Sequence, residues 1–511
     1  MSTPQDLLGA ELSLTVEAAA LSGKTLSRLP DGRVVWLKGM LSVGDTGRFV
    51  ITKTRSKSAE ASLIELTERS SSRVEPFCPH VERCGGCPWQ AISDEQQLRS
   101  LSDDLDRALS RAVGCERGVI DWSEPFVSAE RAWRHTARLH LNGRSGELKL
   151  GFYGEDGLLS LDRCPTFAPT LNEGLAQLNA TLLPQLKAQA EALKGTLRLS
   201  AARGARTGTA SLELSEPINK PLAEQLEALM PALLGACQAL HGLHLSYLLI
   251  ERAASAPQSS QGSKQGKGSG RDRSAKGKRG RGHKSRGSDS PSLKPKLKRV
   301  ERSWGEAFNE LVSPHPAQAF MQAHQEGNEA LIAEVLRRVK GARSALELYA
   351  GSGNLSVALA ERGGLEELSC VESDERALKA LESLALERGL RGVKTVKRDL
   401  RDPPDALLKQ FLSGRFEHLI LDPPRAGAKE LIERLAELAL SGEAGSGPSP
   451  ITYISCHPAA LARDLERLVS AGWRLERARL FHLFPHTGHA ELCVTLTRGQ
   501  EAGKGASLAG S

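Results

Sequence analysis

Two residues in the last third of the chain have types and places that suit covalent chemistry. Cys456 stands in Tyr453-Ile454-Ser455-Cys456-His457-Pro458. An apolar, strand-like run precedes it and a His-Pro stop follows. That sets a thiol at the C-terminal end of a strand, where open α/β sheets bind their ligands. Glu491 closes Pro485-His486-Thr487-Gly488-His489-Ala490-Glu491. A thiol is a nucleophile and a carboxylate a base, and the two together fit catalysis through a covalent intermediate. His486, His489 and Cys493 also lie here, but their spacing fits no standard zinc pattern.

A cofactor loop lies upstream, in Glu347-Leu348-Tyr349-Ala350-Gly351-Ser352-Gly353-Asn354. Gly351 and Gly353 let the backbone approach a ligand closely. Glu372 ends the next strand about twenty residues on, placed to accept hydrogen bonds from ribose hydroxyls. Leu355 and Ser356 stand where a dinucleotide fingerprint needs its third glycine, and no Gly-Lys-Ser/Thr follows, which excludes a phosphate-cradling loop. Acidic residues before the loop and at the second strand end suit a cofactor with a cationic, non-phosphate centre, such as S-adenosylmethionine. Asp422-Pro423-Pro424-Arg425 ends a later strand. Amino-group methyltransferases carry an aromatic residue where Arg425 stands, so the target atom is expected to be something other than an exocyclic amine.

Carbon 5 of a uracil ring meets that expectation. It is too weak a nucleophile to attack a methyl donor unaided. Addition of a thiolate to carbon 6 makes an enolate whose carbon 5 can attack. The carbon 5 proton must then be removed so that the thiolate can leave. One cysteine and one base suffice, and Cys456 and Glu491 supply them.

A second group of cysteines has another character. Cys78, Cys84 and Cys87 are spaced x5 and x2 among glycines and prolines, and Cys164 lies in Arg163-Cys164-Pro165. Four thiolates can hold zinc or an iron–sulfur cluster. Zinc sites use paired knuckles, so the three-plus-one arrangement favours a cubane cluster. Cys115, Cys237, Cys370 and Cys493 have no partners at useful spacing and read as core residues.

The elements that must position these groups can be read along the 511 residues, a length that suits two to four domains. Residues 1–73 hold short alternating strands at 12–16, 33–37, 47–53 and 61–66 with turns at Asp31-Gly32 and Gly44-Asp45, which suits an OB-like barrel or a generic β module. Residues 74–312 read as a mixed α+β central domain carrying the four thiols. Within it, 253–299 is rich in Ser, Gly, Lys and Arg and is expected to be a disordered insertion at a loop tip. Between Ser255 and Arg299 fourteen Lys and Arg face only Asp272 and Asp289, so the formal net charge of +7 is concentrated there and the rest of the chain is net negative. Polyanion attraction would be concentrated in that segment. Residues 313–499 alternate strand and helix, with strands at 345–349, 368–372, 393–396, 418–422 and 451–455, and predict a doubly wound, Rossmann-like α/β domain. Residues 500–511 read as a flexible tail. No basic-then-apolar leader opens the chain and no run of about 18 apolar residues spans a membrane, so a cytoplasmic protein without membrane contact is expected.

These residues together resemble the bacterial RNA uracil-5-methyltransferases, especially the branch acting on 23S ribosomal RNA and carrying an iron–sulfur cluster. The resemblance runs over nearly the whole chain. It implies that residues 1–73 are a TRAM domain, a small RNA-binding barrel, and that residues 313–499 are a class I methyltransferase domain. It implies that Cys78, Cys84, Cys87 and Cys164 ligate a 4Fe–4S cluster. Phe320-Met321-Gln322 is similar to a Phe-x-Gln segment, which implies that Gln322 contacts S-adenosylmethionine, as Tyr349, Gly351, Asn354, Glu372, Asp399 and Asp422 would. Cys456 matches the nucleophile and Glu491 the base. The implied partner is RNA, and a monomer is expected. Transfer RNA as the substrate, or a non-catalytic iron–sulfur RNA-binding protein, are the alternatives, and retention of both Cys456 and Glu491 speaks against the second. The chain departs from the family at His457 and His324, where asparagines are usual, and the basic insertion has no recognised counterpart.

Overall fold

The computed structural model describes residues 7–143, 146–201, 208–251, 296–304, 322–441 and 450–498. They form three sheets. The first spans residues 11–68 and has six strands, including the two-residue Ala18–Ala19. Glu11–Thr15 pairs with Thr46–Thr54, and Ala18–Ala19, which continues it past Val16, pairs with Thr25–Arg28 at the opposite end of the sheet order. One bent segment thus joins both edges and the sheet closes on itself, which removes its free edges. Val16, Val35, Leu37, Leu41, Phe49, Ile51 and Ala61 fill the interior. The buried Asp45 ties the exit of this unit, accepting from Ser42 N (2.7 Å), Ser70 N (3.0 Å) and Arg73 (2.6 Å).

The central sheet has seven strands between Thr136 and Trp304, with helices Pro169–Gln185 and Lys220–Ala236 packed on it through Leu175, Leu178, Leu226 and Met230. Leu240–Glu251 and Lys296–Trp304 pair antiparallel, with Glu251 opposite Lys296. The basic run expected to be disordered over 253–299 therefore ends sooner, because residues 296–299 belong to a strand. Residues 252–295 lie outside the described residues, and so do the expected domain boundary at 312–313, Phe320, Met321 and the tail 500–511.

The third sheet has eight strands, ordered Val393–Lys397, Glu367–Glu372, Ser344–Leu348, His418–Leu421, Ile451–Ser455, Glu491–Arg498, Trp473–His482 and Trp122–Val127. The first five are parallel; Glu491–Arg498 runs antiparallel to both neighbours. All five expected strands are present. Ser344–Leu348, His418–Leu421 and Ile451–Ser455 are buried throughout because helices cover both faces. Leu346, Leu348, Leu419, Leu421 and Tyr453 face one helical layer, and Ala345, Ile420 and Ile454 face the other. No helix among the described residues is long and apolar enough to cross a membrane.

The segment 94–127, assigned from sequence to the central domain, belongs with this sheet. Helix Asp94–Val113 packs on helix Pro458–Ser470, and Trp122–Val127 pairs in parallel with Trp473–His482 as the edge strand. Trp122–Val127 does not alternate and contains Pro125, so nothing local marks it as a strand.

Candidate active site

Chain order reverses between Ser344–Leu348 and His418–Leu421, and a doubly wound sheet opens a crevice at that switch, beyond the C-terminal strand ends. The loops after these strands, after Glu367–Glu372 and after Ile451–Ser455 converge there. They carry the cofactor-loop residues, Asp422 and Cys456.

The cofactor loop is shaped by backbone geometry. Tyr349 has φ +66°, Gly351 +55° and Gly353 +98°. Tyr349 N and Ala350 N both donate to Val371 O, which turns the chain sharply over the neighbouring strand. A Cβ at Gly353 would lie 2.6 Å from Leu381, whereas one at Gly351 would meet no heavy atom within 4 Å and would point into open crevice. Glu372 accepts from Gly351 N (3.1 Å), Ser373 N (2.6 Å) and Asp374 N (2.9 Å), which fixes the carboxylate beside the loop. Asn354 opens helix Asn354–Arg362 and exchanges side-chain hydrogen bonds with Asn328 (2.8 and 2.9 Å). Asp399 follows Val393–Lys397 and is held by Arg401, whose hydrogen bonds bring its carboxyl down to about 2. Glu347 is buried under the loop, where burial raises its carboxyl to about 7. Asp422 is open to the crevice, but the protein around it shields it from bulk water and raises its carboxyl to about 7.

Strand register sets the reacting pair. Ser455 pairs with Leu492 across antiparallel strands. Cys456 and Glu491 are the next residues beyond that pair on each side, and the Glu491 carboxylate lies near enough to act on the Cys456 thiol. Burial raises the Cys456 thiol, the Glu491 carboxylate raises it further, and Arg425 opposes both. Glu491 is buried, and burial first, then Asp422, pushes its carboxyl up to about 8, while Arg425 and a hydrogen bond from Gln322 pull it back. Cys456, Glu491, Asp422, Arg425 and Gln322 thus share one crevice. A base near neutrality faces a half-buried thiol, which suits proton removal from a carbon acid formed on a thiol adduct.

Residues 384–499 match the family described as tRNA (Uracil-5-)-methyltransferase. The chain is 27% identical to 23S rRNA (uracil(1939)-C(5))-methyltransferase RlmD of Marinomonas sp. over 503 residues, covering 97% of each. It is 29% identical to the RlmD of Halomonas elongata, covering 96% of this chain and 90% of that one. These matches support the RNA uracil-5-methyltransferase family for this chain. The structure of Pyrococcus abyssi tRNA (uracil-54, C5)-methyltransferase in complex with S-adenosyl-L-homocysteine superposes with a TM-score of 0.62 at 18% identity, covering 95% of this chain and 99% of that one. That likeness extends the shared fold to nearly the full length.

Two departures from the family's asparagines have one physical explanation. His457 is the N-cap of helix Pro458–Ser470 and its Nδ1 accepts from Ala460 N (3.2 Å). His324 is the N-cap of helix Gln325–Arg338 and its Nδ1 accepts from Gly327 N (2.9 Å). Asparagine is a leading N-cap because its side chain accepts the same bond. Histidine supplies that acceptor, and His324 also stacks on Trp133 and bonds Ser128 Oγ.

The four cysteines of the second group are brought within electrostatic reach of one another. Burial raises all three thiols of the 78–87 segment, Cys87 to about 12, and Cys164 adds to the rise in each. No three His, Cys, Asp or Glu side chains among the described residues stand close enough to hold a metal ion. The thiols converge without forming a closed ligand set. The donors suit a soft, cationic metal centre: four thiols, with the buried Arg134 guanidinium beside Cys164, Cys87 and Cys84 to offset their negative charge when ionised, its Nε without a hydrogen-bond partner. A Cβ at Gly154 would strike Arg83 O at 1.7 Å, so only glycine lets strand Lys149–Gly154 lie against the thiol segment. Arg134 was not among the residues singled out from sequence, where it reads as one of many surface arginines.

Proposed function

We propose that this chain methylates carbon 5 of a uridine in 23S ribosomal RNA, with S-adenosylmethionine as donor. The observation that carries the reading is the Ser455–Leu492 register, which leaves Cys456 and Glu491 next to that pair and within electrostatic reach of each other, beside Asp422 and Arg425. Cys456 Sγ adds to carbon 6 of the ring and carbon 5 takes the methyl group, leaving S-adenosylhomocysteine. Glu491 removes the carbon 5 proton, and the bond from sulfur to carbon 6 breaks to release thiolate and 5-methyluridine. Arg425, opposite the thiol, favours its ionised form. Gln322, Tyr349, Gly351, Asn354, Glu372, Asp399 and Asp422 are the residues we assign to the cofactor.

The substrate reading follows the relatives of similar length, which are named for uracil 1939 of 23S rRNA. The closed six-stranded unit supports reading residues 1–73 as a TRAM domain that binds RNA. Cys78, Cys84, Cys87 and Cys164 would hold a 4Fe–4S cluster, which the three-plus-one spacing and the buried cation beside the thiols support. The methyl transfer itself needs no electron, so the cluster would order the surface around Cys164. Mapping 5-methyluridine in total RNA of a strain lacking this chain tests the reading. Loss of one modified uridine in 23S rRNA is expected. Loss confined to transfer RNA would move the substrate, and no change in either would overturn the reading.

A further inference from the structure

The loop that delivers Glu491 is held by three separate parts of the chain, and the reaction as written does not use them. His486 sits in that loop at φ +66°, buried. Its N–H donates to Gln97 Oε1 (2.7 Å), and Gln97 Nε2 lies 3.2 Å from its Nδ1. Gln97 is itself fully buried on helix Asp94–Val113 and donates to Ile92 O (2.7 Å). Trp89 N, two residues after Cys87, donates to His486 O (2.9 Å), and Phe77, beside Cys78, packs edge-on to the His486 ring at 5.1 Å. Two residues on, Gly488 meets the first sheet. A Cβ there would lie 2.6 Å from Gly23 N and 2.7 Å from Leu21 O. A single side chain thus contacts both the backbone N–H and the ring Nδ1 of a residue held at positive φ, a conformation that persists only where surroundings over-determine it.

We propose that Gln97 and Gly488 are positioning residues for Glu491: they fix the His486–Gly488 turn so that the carboxylate reaches the carbon 5 proton of the adduct. The inference rests on the reading of Glu491 as the base. The effect is confined to resolution. Cys456 arrives on a different strand, so adduct formation and methyl transfer do not depend on this turn. A displacement of about 1 Å at a reacting group costs up to about 100-fold in rate.

The test uses the full-length protein and a 23S rRNA fragment containing the modified uridine. Gln97→Met keeps the side-chain length and removes both contacts to His486 together with the hydrogen bonds to Ile92 O and Trp89 O. Gly488→Ala pushes the turn from the side of the first sheet. Each variant is expected to form the denaturation-resistant RNA adduct at the parental rate and to bind S-adenosylmethionine unchanged. Each should resolve the adduct about 10- to 100-fold more slowly, so that methylated adduct accumulates and kcat and KM fall together while kcat/KM is unchanged. Glu491→Gln is run alongside. If it does not accumulate adduct, the base reading fails. If it does, and both variants turn over at the parental rate, the positioning inference is overturned. It is also overturned if both variants lose cofactor binding and adduct formation along with resolution, since the turn would then be a structural brace only.

Discussion

Two sets of cysteines, each set pushed toward the neutral thiol by burial, face different neighbours. Cys456 faces a carboxylate and a guanidinium, Glu491 and Arg425, across an open crevice. Cys78, Cys84 and Cys87 face Cys164, and Cys84 and Cys87 also face the buried Arg134, with no carboxylate among the causes of their shifts. A thiol beside a base can add to a substrate and be released. Buried thiols that also raise one another are stable as anions only when something cationic is shared between them. On the roles proposed above, neither burial nor a proline close behind tells a nucleophile from a ligand; the charge of the neighbour does.

Breaking the reactive side of this comparison is expected to have the largest effect. Cys456→Ala should reduce methyl transfer by more than about 1,000-fold while leaving S-adenosylmethionine binding intact, read by isotope transfer and calorimetry. Glu491→Gln should slow turnover by about 100- to 10,000-fold and trap the methylated adduct, visible as a slow band on a denaturing gel. On the ligand side, Cys87→Ser should lower bound iron from about four per chain to below about one after anaerobic purification. Cys456 should still form an adduct with 5-fluorouridine RNA. One zinc and no iron in the parent would redraw the contrast between the two sets.

The pH dependence sharpens the contrast further. Glu491 acts as a base only when ionised, and its carboxyl is raised to about 8. Adduct resolution should therefore rise about tenfold per pH unit below 8 and level off above it, measured by chasing preformed adduct. The same shift predicts the smallest effect. Between the ordinary carboxylate value of 4.5 and about 8 the folded protein keeps a proton that the unfolded chain gives up. Stability from this group therefore falls as pH rises through that window. Glu491→Gln should raise the apparent melting temperature by a few degrees at pH 8, with the gain shrinking toward pH 5. A gain that grows toward acid pH would contradict the assignment.

The histidine caps show how a residue can depart from a family pattern and keep its physics. His324 and His457 replace asparagine, yet each gives its helix the acceptor that the first-turn N–H groups need. Sequence spacing alone does not reveal this, because capping depends on where the helix begins. Residues 296–299 erred in the other direction: their lysines resemble the low-complexity run before them, but pairing with Ile250, Leu249 and Leu248 makes them a strand.

Three of the five parallel strands, Ser344–Leu348, His418–Leu421 and Ile451–Ser455, were legible because both faces are buried, which writes apolar runs between turn residues. The thiol at a strand end, the glycines of the loop after Ser344–Leu348 and the three-plus-one cysteines stand out in the sequence for a similar reason: the chemistry proposed for them dictates residue types over short distances. What lay beyond the sequence depends on partners far along the chain. Trp122–Val127 becomes a strand only because Trp473–His482 offers it an edge. Arg134 acquires meaning only when folding brings Cys84, Cys87 and Cys164 around it. Gln97 looks like any polar residue on an amphipathic helix until His486 is set against it, 389 positions away. Local sequence determines which groups can react; tertiary packing decides which charges face them, and thereby which thiol is the nucleophile and which carboxylate the base.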